Sequence, residues 1–106
     1  MGLFNFFRTP DINEGVKEFN NTNKAVLIDV RTVGEYASGH IPKSRNVPLD
    51  NIGRIAAVVP DKHTPVFVYC LSGGRSNKAT SFIKQMGYTN VTNIGGISAY
   101  KGKVER

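Results

Sequence analysis

The chain is poor in cysteine and histidine and has no tryptophan. Its 106 residues include one cysteine and two histidines. A single cysteine excludes an internal disulfide, and so few Cys and His side chains argue against a zinc cluster. We therefore predict that the protein has no disulfide framework, no metal site and no cofactor. Any thiol chemistry must then use Cys70 alone.

Long apolar runs and targeting signals are also missing. No stretch approaches the ~20 apolar residues that a membrane-spanning helix needs. The segment MGLFNFFRTP has no basic region before its apolar residues and no small-residue cleavage site. Phe6 stands where a myristoylation signal requires Ser or Thr. These absences predict a cytoplasmic protein without a membrane span. We expect the apolar residues of this segment to pack on the core: Leu3, Phe4, Phe6 and Phe7.

Positive charge is in excess. Fourteen Lys and Arg residues against eight Asp and Glu residues give a net charge of +6. This balance favours anionic partners, but the basic residues are scattered, which is typical of a solvated surface. The sequence shows no platform of interleaved aromatic and basic residues for nucleic acid. We predict a small anionic ligand, no nucleic acid and a monomer.

Apolar patterning predicts one α/β domain over residues 1–106. Hydrophobic residues form 40% of the chain and charged residues 21%, as in a globular protein. Apolar runs at 25–30, 65–69 and 90–94 are typical of buried strands in a parallel sheet. A short strand is expected within 40–49, and helical spacing predicts helices at 11–20, 32–39, 50–59, 76–87 and 97–105. The predicted fold has three layers, with a small, mostly parallel sheet flanked by helices.

Capping residues mark the ends of several predicted helices. Asp11, Thr32 and Asp50 can each cap the helix that follows, and Glu35 completes a capping box with Thr32. Gly87, the last residue of the segment 76–87, suits the C′ position that ends the helix. That helix is predicted to bury one apolar face, formed by Ala79, Phe82, Ile83 and Met86.

The only cysteine lies where an α/β sheet places a ligand site. Ligands bind outside the carboxyl ends of parallel strands. Both Asp29 and Cys70 lie at the ends of predicted strands. In VYCLSGGRSNKAT, residues 68–80, two glycines and Arg75 separate the cysteine from most of the next helix. We therefore expect a site at this edge of the sheet.

The residues around Cys70 favour an ionised, nucleophilic thiol. A helix N-terminus, the inward N–H groups of a glycine loop and the charge of Arg75 all favour a thiolate. The thiolate is the nucleophile. The same groups would hold an anionic substrate above the sulfur. The alternative is a buried, inert cysteine in a helix-capping loop.

Two motifs in a fixed order relate the chain to a known family. LIDVRTVGEYASGHIPKSRNVPL, residues 27–49, contains Asp-Val-Arg, Glu-Tyr, Gly-His-Ile-Pro and Asn-x-Pro. VYCLSGGRS contains Cys-x-x-Gly-x-Arg, at Cys70, Gly73 and Arg75. Over roughly residues 10–100 the chain resembles the rhodanese-like sulfurtransferases in their small single-domain form.

The resemblance implies a catalytic cycle on Cys70. Its thiolate would take the outer sulfur of thiosulfate or a persulfide, carry it as a persulfide and pass it to cyanide or a thiol. Asp29 and Arg31 would form a supporting pair. With no second cysteine in the chain, the acceptor must be external. The implied substrate-binding residues are Leu71, Ser72, Gly73, Gly74, Arg75 and Ser76.

Two other functions fit parts of the pattern. Cysteine phosphatases and arsenate reductases hold an oxyanion in a His-Cys-x5-Arg loop. Here Tyr69 precedes the cysteine, and the loop to Arg75 is one residue shorter. The second is a non-catalytic interaction or sulfur-carrier module, although such modules usually lack the cysteine. The chain also departs from the family after Gly95-Gly96, where Ile97 replaces an aromatic residue and no tryptophan follows.

Overall fold

A four-stranded parallel sheet forms the centre of the protein, which a computed structural model describes over residues 10–106. The strands are β1 (Val26–Asp29), β2 (Arg45–Asn46), β3 (Val66–Cys70) and β4 (Val91–Gly96), in the spatial order β2-β1-β3-β4. The helices are α1 (Ile12–Asn20), α2 (Val33–Ser38), α3 (Ile55–Val58) and α4 (Gly74–Gln85). None of these helices is long and apolar enough to span a membrane. The N-terminal cluster of Leu3, Phe4, Phe6 and Phe7 lies outside the described residues.

The sheet is covered on both faces, which confirms the predicted three-layer α/β fold. Alternate residues of β3 enter two separate cores, because successive side chains of a strand point to opposite faces. Val68 and Cys70 pack with Ala79 and Ile83 of α4. On the other face, Tyr69 and its neighbours pack under α1. Cys70 therefore reaches the sheet edge on the same face as α4.

Caps confirm the predicted starts of α1 and α2, whereas α4 begins at Gly74, two residues before the predicted start at Ser76. The Asp11 carboxylate accepts the N–H of Asn13 at 3.0 Å at the start of α1. Thr32 and Glu35 form both hydrogen bonds of a capping box at the start of α2. Gly87 follows the end of α4 with a φ of +104°, a left-handed conformation that favours glycine.

Two predicted helices are shorter than expected. The segment 50–59 forms a 3₁₀ helix, Leu49–Arg54, followed by the single α-helical turn of α3. Asp50 caps neither, because the 3₁₀ helix begins after Pro48 and Asn51 interrupts it with non-helical dihedrals. The segment 97–105 contains only a 3₁₀ turn, Ile97–Ala99. Residues 101–106 are exposed and offer no apolar face for a helix to bury.

The buried face of α4 also differs from the prediction. Phe82 is 44% exposed, whereas Ala79 and Ile83 are buried as expected. Helical periodicity identified the apolar residues of α4. The buried face is shifted away from Phe82 and includes Ser76, which contacts Cys70. The buried residues of this helix are Ser76, Ala79, Thr80 and Ile83.

Strand β4 contains one extra residue opposite β3. Val68 pairs with Asn93 and Tyr69 pairs with Gly95, so Ile94 is the additional residue of a β-bulge. Beyond the bulge, Gly96 stands opposite Cys70. The pattern of apolar residues gives no sign of this bulge. With the bulge, Asn93 before it contacts Ser76 and Gly96 after it contacts Leu71.

Candidate active site

The carboxyl edge of the sheet brings together the ends of the two strands that carry the predicted site residues. Asp29 and Cys70 are the last residues of β1 and β3, and these strands are adjacent and parallel. Cys70 is 1% exposed, so its sulfur lies at the base of the loop that follows. The carboxyl-edge placement predicted from the sequence is therefore confirmed.

The cysteine loop folds back over the sulfur. The backbone N–H of Gly73 donates to Cys70 Sγ at 3.0 Å. Gly73 is also the N-cap of α4 and has a φ of +109°, which a residue with a side chain rarely adopts. The Cys70 thiol lies 3.4 Å from the Ser76 hydroxyl and donates to it. The sulfur therefore sits at the N-terminus of a twelve-residue helix.

Hydrogen bonds stabilise the ionised form of Cys70. Burial acts to raise the pKa of the thiol, but hydrogen bonds from the Ser76 side chain and from the backbone of Ser76, Gly73 and Ser72 outweigh it. The net result is a pKa of Cys70 below its ordinary value. Cys70 is the free cysteine of the chain, and this environment increases the fraction present as thiolate.

Ser76 is held in place by Asn93 of β4. The Ser76 hydroxyl lies 2.7 Å from Asn93 Oδ1 and 3.1 Å from the Gly73 carbonyl oxygen. The same Asn93 oxygen accepts the N–H of Gly95 at 3.0 Å, across the bulge. The sequence interpretation did not include Asn93, because its contact with Ser76 depends on the register of β4 against β3.

The charge of Arg75, which the sequence analysis expected to favour the thiolate and hold an anionic substrate, is paired with an acidic side chain. Arg75 donates to both carboxylate oxygens of Glu35, at 2.8 and 3.0 Å. The hydrogen bonds from Arg75, and then from the backbone of Thr32, lower the pKa of Glu35 to about 2. Glu35 therefore both caps α2 and neutralises Arg75. The sequence marked Glu35 as a capping residue, but not as the partner of a residue 40 positions away.

Asp29 and Arg31 form the expected pair, and it is buried. Arg31 Nη2 lies 2.7 Å from Asp29 Oδ2 and also donates to the Gly39 carbonyl at 2.7 Å. Burial acts to lower the pKa of Arg31, but the hydrogen bonds and charge of Asp29 outweigh it and raise the pKa. The guanidinium also lies 5.9 Å from the ring centre of Tyr69, the residue before the cysteine. This arrangement supports a bracing role for the pair.

Strand β4 and the 3₁₀ turn after it contact the cysteine loop. The Leu71 carbonyl oxygen accepts the N–H of Ser98 at 3.0 Å, and Leu71 and Ser72 lie directly against Gly96. The space for a Cβ atom at Gly96 is occupied by the Leu71 carbonyl oxygen. A cleft of about 630 Å³ borders this side of the loop, between Gly73, Gly95 and the start of α1.

Both histidines are engaged elsewhere. His40 stacks on Tyr36 with ring centres 3.8 Å apart and shares a hydrogen bond with its carbonyl oxygen. His63 Nδ1 contacts the Thr89 hydroxyl at 3.3 Å. Residues 10–106 contain no group of three or more metal-ligating side chains. At the edge formed by Asp29 and Cys70, the Cys70 thiol is the candidate reactive group.

The fold and the loop define a class of protein: a small parallel α/β domain that holds a single thiol in a glycine loop at a helix N-terminus. A comparison with family models identifies the class further. The model of the Rhodanese-like domain matches residues 13–103, and the chain belongs to this family.

Individual relatives agree with this assignment. The chain is 44% identical over 71 residues to the thiosulfate sulfurtransferase PspE of Escherichia coli strain K12. The matched region covers 66% of this chain and 68% of that protein. It is 38% identical over 81 residues to a sulfurtransferase of Allochromatium vinosum, with 76% and 75% covered. A solved structure, a rhodanese with anions from E. coli, has a TM-score of 0.73 and 37% identity, with 77% and 98% covered.

Proposed function

We propose that the protein is a sulfurtransferase, which moves a sulfane sulfur from thiosulfate or a persulfide to cyanide or a thiol. The sulfur travels as a persulfide on Cys70. The observation that carries this proposal is the Gly73 N–H donated to Cys70 Sγ at 3.0 Å at the start of α4. The names of the two relatives, a thiosulfate sulfurtransferase and a sulfurtransferase, support the same activity class.

The first half-reaction loads the cysteine. The Cys70 thiolate attacks the outer sulfur of thiosulfate, the S–S bond of the donor breaks, and sulfite leaves with its electron pair. The product is a Cys70 persulfide anion. Backbone N–H groups of the loop, of which Gly73 already faces the sulfur, would hold the anionic terminal sulfur.

The second half-reaction unloads the cysteine. Cyanide or an external thiolate attacks the terminal sulfur, and the Cys70 thiolate is the leaving group. Its lowered pKa makes it a better leaving group as well as a more abundant nucleophile. With one cysteine in the chain, the acceptor comes from outside. Two half-reactions through one covalent intermediate give ping-pong kinetics.

Intact mass spectrometry after incubation with thiosulfate tests this proposal. We expect the protein to gain the mass of one sulfur atom and to lose it again on addition of cyanide, with formation of thiocyanate. The Cys70→Ser variant should show neither the adduct nor thiocyanate formation. Turnover in this variant at the rate of the unaltered protein would contradict a cycle on Cys70.

A parallel assay with an aryl phosphate separates the proposal from the phosphatase alternative. The short loop between Cys70 and Arg75 should suit a sulfur atom better than a tetrahedral phosphate, so we expect no phosphate release. Phosphate release without sulfur transfer would favour a cysteine phosphatase. Activity on neither substrate, with an ordinary pKa for Cys70, would favour the interaction module.

A further inference from the structure

We infer that Glu35 determines which donor the Cys70 site prefers: by cancelling the charge of Arg75, it favours alkyl persulfides over the thiosulfate dianion. The inference rests on the proposed function, because it names the donor class for the same site. It comes from the ion pair between the capping carboxylate and the loop arginine, which no sequence motif reveals.

The cysteine loop offers no other cation to a bound donor. Between Cys70 and Ser76, Arg75 is the only charged side chain. Both of its terminal nitrogens are directed at Glu35, which lies at 2.8 and 3.0 Å. A bidentate pair of this kind holds the guanidinium in one orientation, directed at the carboxylate. The donor therefore meets a neutral pair where a free guanidinium would have attracted it.

One further acidic side chain lies near this pair. Asp50 and Arg75 line the same small concavity, of about 70 Å³, at the carboxyl end of β1. Arg31 adds no free charge there, because it is buried and paired with Asp29 at 2.7 Å. The positive charges of Arg75 and Arg31 are thus each matched by a carboxylate, Glu35 and Asp29, although the whole chain carries +6.

This charge balance matters more for thiosulfate than for a persulfide. The interaction energy of a donor with the site scales with the charge of the donor, so a dianion responds twice as strongly as a monoanion. A protonated alkyl persulfide carries no charge on the transferred sulfur. The Cys70 thiolate attacks that outer sulfur, the S–S bond breaks, and the products are a Cys70 persulfide and an alkyl thiolate.

The Glu35→Gln variant isolates the effect of charge. Gln is also accepted in a capping box, so the Thr32 N–H keeps an acceptor and α2 keeps its start. The Gln side-chain oxygen can still accept a hydrogen bond from Arg75. Because Gln is neutral, the positive charge of Arg75 is no longer cancelled. The matched control is Glu18→Gln, which changes the net charge equally at an exposed position of α1.

Alkylation of Cys70 provides a readout that does not depend on turnover. Iodoacetate is a monoanion and iodoacetamide is neutral, so the ratio of their rates reports the potential at the sulfur and cancels changes in thiolate content. We expect Glu35→Gln to raise this ratio about threefold at low ionic strength. The increase should shrink in salt, because partly exposed charges are screened. Glu18→Gln should leave the ratio at its starting value.

Donor kinetics provide the second readout. For Glu35→Gln we expect the kcat/KM for thiosulfate, relative to that for an alkyl persulfide at a pH where the persulfide is protonated, to rise by the square of the alkylation effect, about tenfold. The double variant Glu35→Gln, Arg75→Gln should return both ratios toward those of the unaltered protein, which assigns the effect to the charge of Arg75.

The outcomes separate this inference from the proposed function. If both donors load Cys70 but Glu35→Gln changes neither ratio, the role of Glu35 is overturned and the sulfurtransferase remains. A rise in both ratios that the double variant does not reverse also overturns the role of Arg75. If neither donor loads Cys70 in any variant, the proposed function is wrong and the donor preference is wrong with it.

Discussion

The Ser76 hydroxyl has one proton and several acceptors around it. In the thiol state, Cys70 donates to Ser76 Oγ at 3.4 Å, and the hydroxyl proton can point to Asn93 Oδ1 at 2.7 Å. When Cys70 ionises, the hydroxyl can turn and donate to the sulfur instead. Asn93 Oδ1 then still accepts the N–H of Gly95. Ionisation of the thiol thus needs only one rotation and leaves no buried group unpaired.

Replacement of Ser76 by Ala should therefore raise the pKa of Cys70, because it removes the side chain that contributes most to lowering it. A hydrogen bond to a charged group contributes about 1.5–3 kcal/mol, so we expect alkylation at neutral pH to slow by about 10- to 150-fold. The measurement is the rate of iodoacetamide alkylation as a function of pH. Ser81→Ala, at an exposed position of the same helix, is the control. An unchanged midpoint for Ser76→Ala would show that the backbone donors act alone.

At the residue scale, the sequence predicted the nucleophile better than its partners. Cys70 could be identified from a strand, a glycine loop and a helix that follow one another directly in the chain. The contacts of Arg75 with Glu35 and of Ser76 with Asn93 bridge 40 and 17 positions. Local patterns carry no information about such contacts, because they depend on how the elements pack.

Strand β4 and the cysteine loop are in direct contact at Gly96. Gly96 has a φ of −130°, which any residue can adopt. Glycine is therefore needed here because a side chain would collide with the loop, and not because of the backbone conformation. We expect Gly96→Ala to push Leu71 and Ser72 outward and to displace the N–H groups around the sulfur. Misplacement of this size can lower kcat/KM by about 100-fold.

The control for this substitution is Gly53→Ala, where an added Cβ meets no atom within 4 Å. It should keep both the activity and the thermal stability of the unaltered protein. Comparable kcat/KM values for the two glycine variants would show that the loop tolerates movement at Gly96.

The Asp29–Arg31 pair connects the end of β1 to the end of α2. Arg31 bonds both the Asp29 carboxylate and the Gly39 carbonyl, in a position where its side chain is 6% exposed. Asp29→Ala would leave this guanidinium buried without its counter-charge, which costs about 3–5 kcal/mol. Urea denaturation measures the loss, with exposed Asp50→Ala as the control. A loss below 1 kcal/mol would mean that Arg31 reaches water when its partner is removed.

At the element scale, the strands and the capped helices were predictable and the irregular segments were not. Apolar runs identified β1, β3 and β4 because both faces of the sheet are buried. The segment 50–59 has helical spacing, but Asn51 interrupts it with a φ of −121°. The bulge at Ile94 leaves no trace in the composition of β4, since it is defined by pairing with β3.

The whole molecule should lose stability in acid through Glu35. The folded pKa of Glu35 is about 2, below its ordinary value of 4.5, so its ion pair stabilises the fold above pH 4.5. This contribution is lost as the pH falls from about 4.5 to about 2. The pair is partly exposed, which limits the effect to about 1 kcal/mol or less. Glu35→Gln should therefore show a smaller decrease in Tm between pH 5 and pH 3 than the unaltered protein.

The extra residue in β4 also determines where the chain can change in length. Asn93 before the bulge holds Ser76, and Gly96 after it supports Leu71, so the three-residue step between them sets two contacts at once. An insertion or deletion within this step would misplace one contact whenever it preserved the other. Residues 101–106 are exposed, and their pairing with the rest of the fold includes one bridge between Glu105 and His40. Length variation should therefore be tolerated there, and a library of single-residue deletions would show a sharp boundary after Tyr100, because Ser98 still donates to the Leu71 carbonyl oxygen.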